Sequence, residues 1–325
     1  MKAVLCKEFG PIDNLTVEDV PALKAGPGQV IVSVKACGIN FPDGLIVQGK
    51  YQTKPPLPFS PGLEVAGVIA ELGEGVTGLA VGQRVIGFPG VGGLAEQVAV
   101  DAYLVFPMPD SMSFADGAGF LITYATSHHA LKPRGKLKAG ETLLVLGAAG
   151  GVGLTAVELG KVMGAKVIAA ASSDEKLALC KQYGADELIN YKTENLRERI
   201  KAITGGKGVD VIYDPVGGEL TEAAVRGMAW LGRFLVIGFA AGDIPKIPIN
   251  LLLLKSSSLV GVYWGAALKA DPKAGREDVA ELLNWYAEGK LKPCISATFP
   301  LERAAEAILA VTNRQTKGKV VVVME

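Results

Sequence analysis

A chain of 325 residues with 49% hydrophobic side chains is long enough for about two domains with sizeable buried cores. Lys plus Arg and Asp plus Glu balance at 33 each, which argues against nucleic acid or anionic lipid as main ligands and favours small or neutral partners. No apolar run reaches the roughly 18 residues of a membrane span, MKAVLCKEFG carries no apolar leader with a cleavage site, and Cys6, Cys37, Cys180 and Cys294 are scattered singly, so a cytoplasmic protein with reduced thiols is expected.

From residue 1 to about 110 the chain reads as short β-rich runs (KAVLCKEF, QVIVSVKACGI, LEVAGVIAELG, QRVIGF, LAEQVAV) punctuated by Gly and Pro, the pattern of an all-β unit. Near residue 111 the pattern changes: SMSFADGAGFLITYATSHHAL opens on a serine N-cap and reads as helix, partly broken at Gly117 and Gly119. Between about 140 and 240 buried strands (ETLLVLG, KVIAAAS, ELIN, VDVIYDPV, GRFLVIGF) alternate with helices, which predicts a doubly wound parallel sheet covered on both faces. From about 266, two helices and two strands end in KVVVVM, a tail expected to return to the first domain. The predicted division is therefore 1–122 with 266–325, and 123–265.

TLLVLGAAGGVGLTAVELG sets a strand, a glycine-rich turn and a helix start in the order a dinucleotide fingerprint requires. In the turn formed by Ala149, Gly150, Gly151 and Val152, Gly150 lets the backbone approach a pyrophosphate. Gly153 permits close helix-to-strand packing, and the helix N-terminus offers free N–H groups. Ala148 stands where the fingerprint has its first glycine.

An NAD-binding version carries an acid at the end of the second strand, about 20 residues on. Here the segment reads VIAAASSDEK: Ala171, Ser172 and Ser173 leave room for a 2′-phosphate, with Lys176 as its counter-charge, so NADPH is favoured over NADH. Asp174 is either a displaced ribose ligand or the N-cap of the next helix, and Ser-Ser-Asp before a Lys/Leu-periodic run favours the cap.

GLEVAGVIAELGEGV, AAGGVG, YGAD, DPVGG and GRFLVIGFAAG together resemble the medium-chain dehydrogenase/reductase superfamily, and within it the zinc-free NADPH:quinone oxidoreductase branch. The resemblance runs nearly end to end. It implies a GroES-like β-barrel domain built from both chain ends, joined to a Rossmann domain that holds the cofactor.

The zinc branch takes its catalytic metal from two cysteines and a histidine, and the matching stretches INFPD, GLE and GAGF place Asn40, Leu63 and Ala118 there. None is a usual Zn²⁺ ligand. His128 and His129 are adjacent on a predicted helix and point apart, so no catalytic metal is expected. Glu64 then stands as a carboxylate needing a buried hydrogen-bond or cationic partner.

By the same resemblance Asn40, Asp43 and Tyr51 line the cleft beside the nicotinamide, Asn40 also touching the cofactor. Thr123 reaches the nicotinamide phosphate, and Lys176 and Tyr191 the adenosine 2′-phosphate. Val216, Gly238, Phe239 and Ala240 lie at later strand ends, and Lys319 approaches the pyrophosphate. Bland alternatives stand beside several: a cap or turn role for Asp43, an anchoring aromatic for Tyr51, plain core for Val216 and Phe239, and a solvated lysine for Lys319.

Without a Lewis acid the expected acceptor is one whose conjugation disperses the incoming charge. A quinone comes first; a 2-alkenal, another enone or acryloyl-CoA is the alternative, and a non-catalytic NADPH-binding protein is the second. KSSSLVGVYWG, residues 255–265, reads as an apolar strand, which by the same resemblance pairs with its copy in a second subunit, so a homodimer is expected.

Overall fold

The computed structural model describes residues 1–324, which divide into two compact units: 1–122 together with 279–324, and 123–278. The first unit is built on strand Gln29–Ile39, whose Val- and Ile-rich run is buried along nearly its whole length. It pairs antiparallel with Glu64–Leu72 on one side and with Gln97–Asp101 and Lys319–Val323 on the other, at successive parts of its length. Strands Arg84–Gly87 and Val105–Pro107 extend the sheet beyond Glu64–Leu72, and Ile295–Pro300 lies parallel to Lys319–Val323. The C-terminal strand thus belongs to the core of the N-terminal sheet, in the register Val320↔Ile39 to Val323↔Ala36.

Between the β-rich start and the second unit, Ser113 caps a short helix, Phe114–Ala118, by accepting a hydrogen bond from Asp116 N at 3.0 Å. Helix Leu121–His129 follows after Gly119. The break falls at Gly119 as the sequence predicts, whereas Gly117 lies inside Phe114–Ala118.

The second unit is a six-stranded parallel sheet. In spatial order its strands are Glu187–Asn190, Lys166–Ala171, Thr142–Leu146, Val209–Asp214, Met228–Val236 and Ser258–Gly261. Numbered along the chain within this unit, that order is 3-2-1-4-5-6, the order of a doubly wound dinucleotide-binding sheet. Leu144 and Leu146 point to one face and Leu143 and Val145 to the other, and all four are fully buried, so helices cover both faces. Strand order, not direction, reverses between the parallel neighbours Thr142–Leu146 and Val209–Asp214, and the loops at their carboxyl ends form the crevice where such sheets take ligands.

Candidate functional site

In the second unit the glycine-rich turn leaves strand Thr142–Leu146 through Gly147, whose φ of +57° is costly for a residue with a side chain. A Cβ at Gly153 would stand 2.3 Å from the Gly147 carbonyl oxygen and 2.9 Å from Ala148 Cα, so only glycine lets the helix start pass this close to the turn. Gly150 is different. It is the exposed N-cap of helix Gly151–Val162, and a Cβ there would come no nearer than 3.4 Å to protein, on Gly147 O. Ala148 and Ala149 pack inward, while Gly151 and Val152 are half-buried, so the turn's outer surface is backbone. This is a cradle for a phosphate-bearing ligand.

Buried hydroxyls hold the cradle from beneath. Ser127 Oγ and Thr155 Oγ1 both donate to the Val152 carbonyl, at 2.9 and 3.0 Å, and Ser127 also lies 2.9 Å from Tyr213 OH. Burial raises the Tyr213 phenol above its ordinary range. Thr123 is fully buried in helix Leu121–His129, and its carbonyl accepts from Thr155 Oγ1 at 3.1 Å.

At the end of the neighbouring strand, Ser173 caps helix Asp174–Gln182 by accepting from Lys176 N at 3.3 Å. This corrects the assignment of the cap to Asp174 by one residue: Asp174 is the first helical residue, and its carboxylate accepts from Asn190 Nδ2 at 2.8 Å. Lys176 Nζ donates to Ser172 Oγ at 3.4 Å. Tyr191 follows strand Glu187–Asn190, donating from its backbone N–H to Ala171 O at 3.2 Å and packing its side chain on the core. Ser172, Ser173, Lys176 and Tyr191 therefore gather at two adjacent strand ends.

Asp214 closes strand Val209–Asp214 and is 2% exposed. Its carboxylate accepts from Val216 N at 2.8 Å, Gly217 N at 2.9 Å and Thr221 Oγ1 at 2.9 Å, which fixes the DPVGG loop; burial nevertheless raises its carboxyl above the ordinary value. The loop is clipped to the next strand end by Ala240 N donating to Pro215 O at 3.0 Å. Val216 is half-buried and packs partly on the core, whereas Phe239 is exposed on the adjoining loop with Gly238 and Ala240 beside it.

In the first unit, the pairings Gly38↔Glu64 and Val320↔Ile39 bring three distant stretches to one point. Lys319 Nζ donates to Ile39 O at 2.7 Å, Asn40 Oδ1 at 2.9 Å and Glu64 Oε1 at 2.8 Å. Asn40 Nδ2 donates to Glu64 Oε1 at 2.9 Å and Gly38 O at 3.2 Å, and Glu64 Oε2 accepts from Ile122 N at 2.8 Å. A Cβ on Gly38 would fall 1.9 Å from Ala118 O, so the approach of these segments requires glycine.

Lys319 is 5% exposed and its ammonium donates to three acceptors inside the unit, which does not fit the solvated-lysine alternative. Glu64 has both the cationic and the hydrogen-bond partners a buried carboxylate needs.

Asp43 takes the cap reading. Its Oδ2 accepts from Asn40 N at 2.7 Å, reaching back to the residue that opens helix Phe41–Val47, and its Oδ1 accepts from Gly62 N at 3.1 Å. Burial pushes its carboxyl up to about 7, against the opposing pull of those two N–H groups and Lys319. Tyr51 is half-buried on the stretch beyond this helix. Leu63 and Ala118 are buried, and neither carries a metal-binding atom in its side chain.

Residues 26–110 match the alcohol dehydrogenase GroES-like domain, and residues 151–288 match the zinc-binding dehydrogenase domain. The chain is 44% identical over 325 residues to the quinone oxidoreductase-like protein 2 homolog of Nematostella vectensis, covering 99% of this chain and 88% of that one. The chain belongs to the quinone oxidoreductase branch of the medium-chain dehydrogenase/reductase superfamily. This oxidoreductase family also includes the quinone oxidoreductase of Rattus norvegicus, 35% identical over 328 residues that span 100% of this chain and 98% of that one. Its fold matches the Escherichia coli quinone oxidoreductase solved in complex with NADPH, with a TM-score of 0.94, 28% identity and full coverage of both chains.

Within the frame of this medium-chain reductase family, three positions escaped the sequence reading. Gly147 carries the turn that Ala148 was compared with, and the signal was its place directly after the strand. Asp214 was visible in DPVGG, but its role as the acceptor of three donors depends on the loop's fold. Asn190 has no sequence signal; only the pairing of Asn190 with Ala171 brings it to Asp174.

Proposed function

We propose that this chain is an NADPH-dependent reductase that delivers hydride to a quinone without a metal. The Lys319–Glu64–Asn40 cluster carries the reading. Where the family resemblance sets zinc ligands, this chain has an amide, Leu63 and Ala118, and a buried ammonium already neutralises Glu64. That donor set does not fit Zn²⁺, which takes thiolate, imidazole or carboxylate ligands. A carbonyl that needs a Lewis acid is therefore a poor acceptor, whereas a quinone disperses the arriving charge through its own conjugation.

The cradle at Gly150 fits a dinucleotide, because Gly150 is the exposed N-cap of helix Gly151–Val162 and a helix start leaves its first-turn N–H groups without intrahelical acceptors. Ser172, Ser173, Lys176 and Tyr191 would hold the adenosine 2′-phosphate, with Val216, Gly238, Phe239 and Ala240 along the remaining strand ends. The NADPH complex of the Escherichia coli relative supports the same coenzyme. Bound NADPH supplies a hydride from its nicotinamide ring. By the family resemblance, Tyr51 is the residue we assign to the substrate oxygen, as a phenol donor.

Strand Ser258–Gly261 ends the sheet, paired to Met228–Val236 alone, with Leu259, Tyr263 and Trp230 exposed. An apolar edge of this kind supports pairing with a second copy, and sedimentation should give a dimer that Leu259→Lys converts to monomer.

The deciding assay is oxidation of NADPH and NADH by the purified protein against ortho-quinones, para-quinones, 2-alkenals and acryloyl-CoA. NADPH-dependent quinone turnover that survives chelators is expected. Turnover with acryloyl-CoA alone overturns the acceptor, turnover with NADH alone overturns the coenzyme, and loss on chelation overturns the metal-free reading.

A further inference from the structure

We propose that Asn190 sets coenzyme preference by holding the Asp174 carboxylate away from the ribose, an inference that rests on the NADPH reading above. Asp174 lies about 20 residues past the fingerprint glycines, the distance at which an acid of a dinucleotide-binding fold accepts from the ribose 2′-OH and disfavours a 2′-phosphate. A carboxylate beside Ser172 and Ser173 would repel that phosphate unless it were turned aside.

The structure turns it aside. Asn190 Nδ2 donates to Asp174 Oδ1 at 2.8 Å. The amide cannot swing away, because Asn190 Oδ1 accepts from Lys192 N at 3.1 Å while its backbone N–H donates to Glu194 Oε2 at 2.8 Å. Asn190 is 8% exposed and pairs with Ala171 in the parallel ladder, on the strand beside the one that ends before Ser172. Lys176 serves the other side: two residues from Asp174 on the helix, it does not face that carboxylate, and its ammonium lies on Ser172 Oγ. Cation and anion are thereby separated, the lysine turned to the strand end and the aspartate tied back by a neutral amide. Asn190 is a positioning residue whose effect passes through Asp174.

The test measures dissociation constants of NADPH and NADH by fluorescence titration of the full chain at low ionic strength, where charge effects are least screened. Wild type should bind NADPH more tightly. Asn190→Ala, and Asn190→Ser should the first variant fold poorly, should move the NADPH-to-NADH affinity ratio towards NADH by about tenfold, equivalent to one properly placed like charge. Adding Asp174→Ala to either should restore the wild-type ratio, because the repelling carboxylate is then gone. An unchanged ratio in folded Asn190 variants overturns the proposal, as does a shift that persists in the double variant. A wild-type preference for NADH is a separate result: it overturns the coenzyme reading and the proposal with it.

Discussion

The two polar regions of this molecule are built on opposite rules. In the first unit, Glu64, Asp43 and Lys319 are nearly excluded from solvent, and their oxygens and ammonium are matched to donors and acceptors of the unit itself. In the second, the helix start at Gly150 faces solvent, the space beside it is open, and Lys176 and Ser172 are only half-buried. A buried charge without a partner costs several kcal/mol, so the first arrangement is a structural clamp. Exposed backbone donors at a strand end cost little until a ligand arrives, so the second arrangement is a receptor.

Breaking the clamp should give the largest effect. Lys319→Met leaves Glu64 as an uncompensated buried carboxylate and should cost about 3–5 kcal/mol in urea unfolding, with much of the loss recovered by adding Glu64→Gln. A cost under about 1 kcal/mol would place Lys319 among ordinary surface charges and remove the contrast between the two regions.

The two glycines of the cradle sharpen the contrast within the receptor. Gly153→Ala drives a Cβ into the Gly147 carbonyl and should destabilise by about 1–3 kcal/mol. Gly150→Ala has room, so thermal unfolding should stay within about 0.5 kcal/mol of wild type while NADPH affinity falls about tenfold. Equal losses of stability in both variants would show that the turn is packed rather than open.

The clamp should also leave a mark in pH dependence. Burial pushes the Asp43 carboxyl from its ordinary value of 3.8 up to about 7, so the folded state binds its proton more tightly than the unfolded state does. That contribution to stability is complete below the unfolded value and is lost as pH rises through the folded one. Denaturation midpoints of wild type should decline between about pH 4 and about pH 7, and Asp43→Asn should lack that component of the decline. A wild-type curve that rises with pH in step with the variant would assign Asp43 an ordinary carboxyl.

The smallest effect belongs to the half-exposed lysine. Lys176→Ala should weaken NADPH binding by about fivefold and leave NADH binding unchanged, a modest loss because solvent already screens the ammonium. Equal weakening of both coenzymes would move Lys176 away from the 2′-phosphate.

Much of this architecture was legible without coordinates, because it is carried by local pattern. Continuous Val/Ile/Leu runs alternating with helical segments specify a parallel sheet wherever they occur, and a glycine-rich turn between strand and helix specifies a backbone cradle. Ser113 and the glycine break after it were readable for the same reason, since caps act over three or four residues. The helix that starts at Asp174 shows the limit of such signals: Ser-Ser-Asp announces an N-terminus, but which of the three side chains faces the free N–H depends on where strand Lys166–Ala171 ends.

The sequence by itself determined the element types, the doubly wound middle of the chain, the dinucleotide cradle and the lack of zinc-binding side chains at Leu63 and Ala118, because each depends on residues close together in the chain or on the chemistry of one residue. Tertiary structure alone decided that Lys319, 255 positions from Glu64, is its counter-ion, and that Asn190 rather than a cap holds Asp174. Both pairings rest on strand register, and register is set by the packing of whole sheets, which short stretches of sequence do not specify.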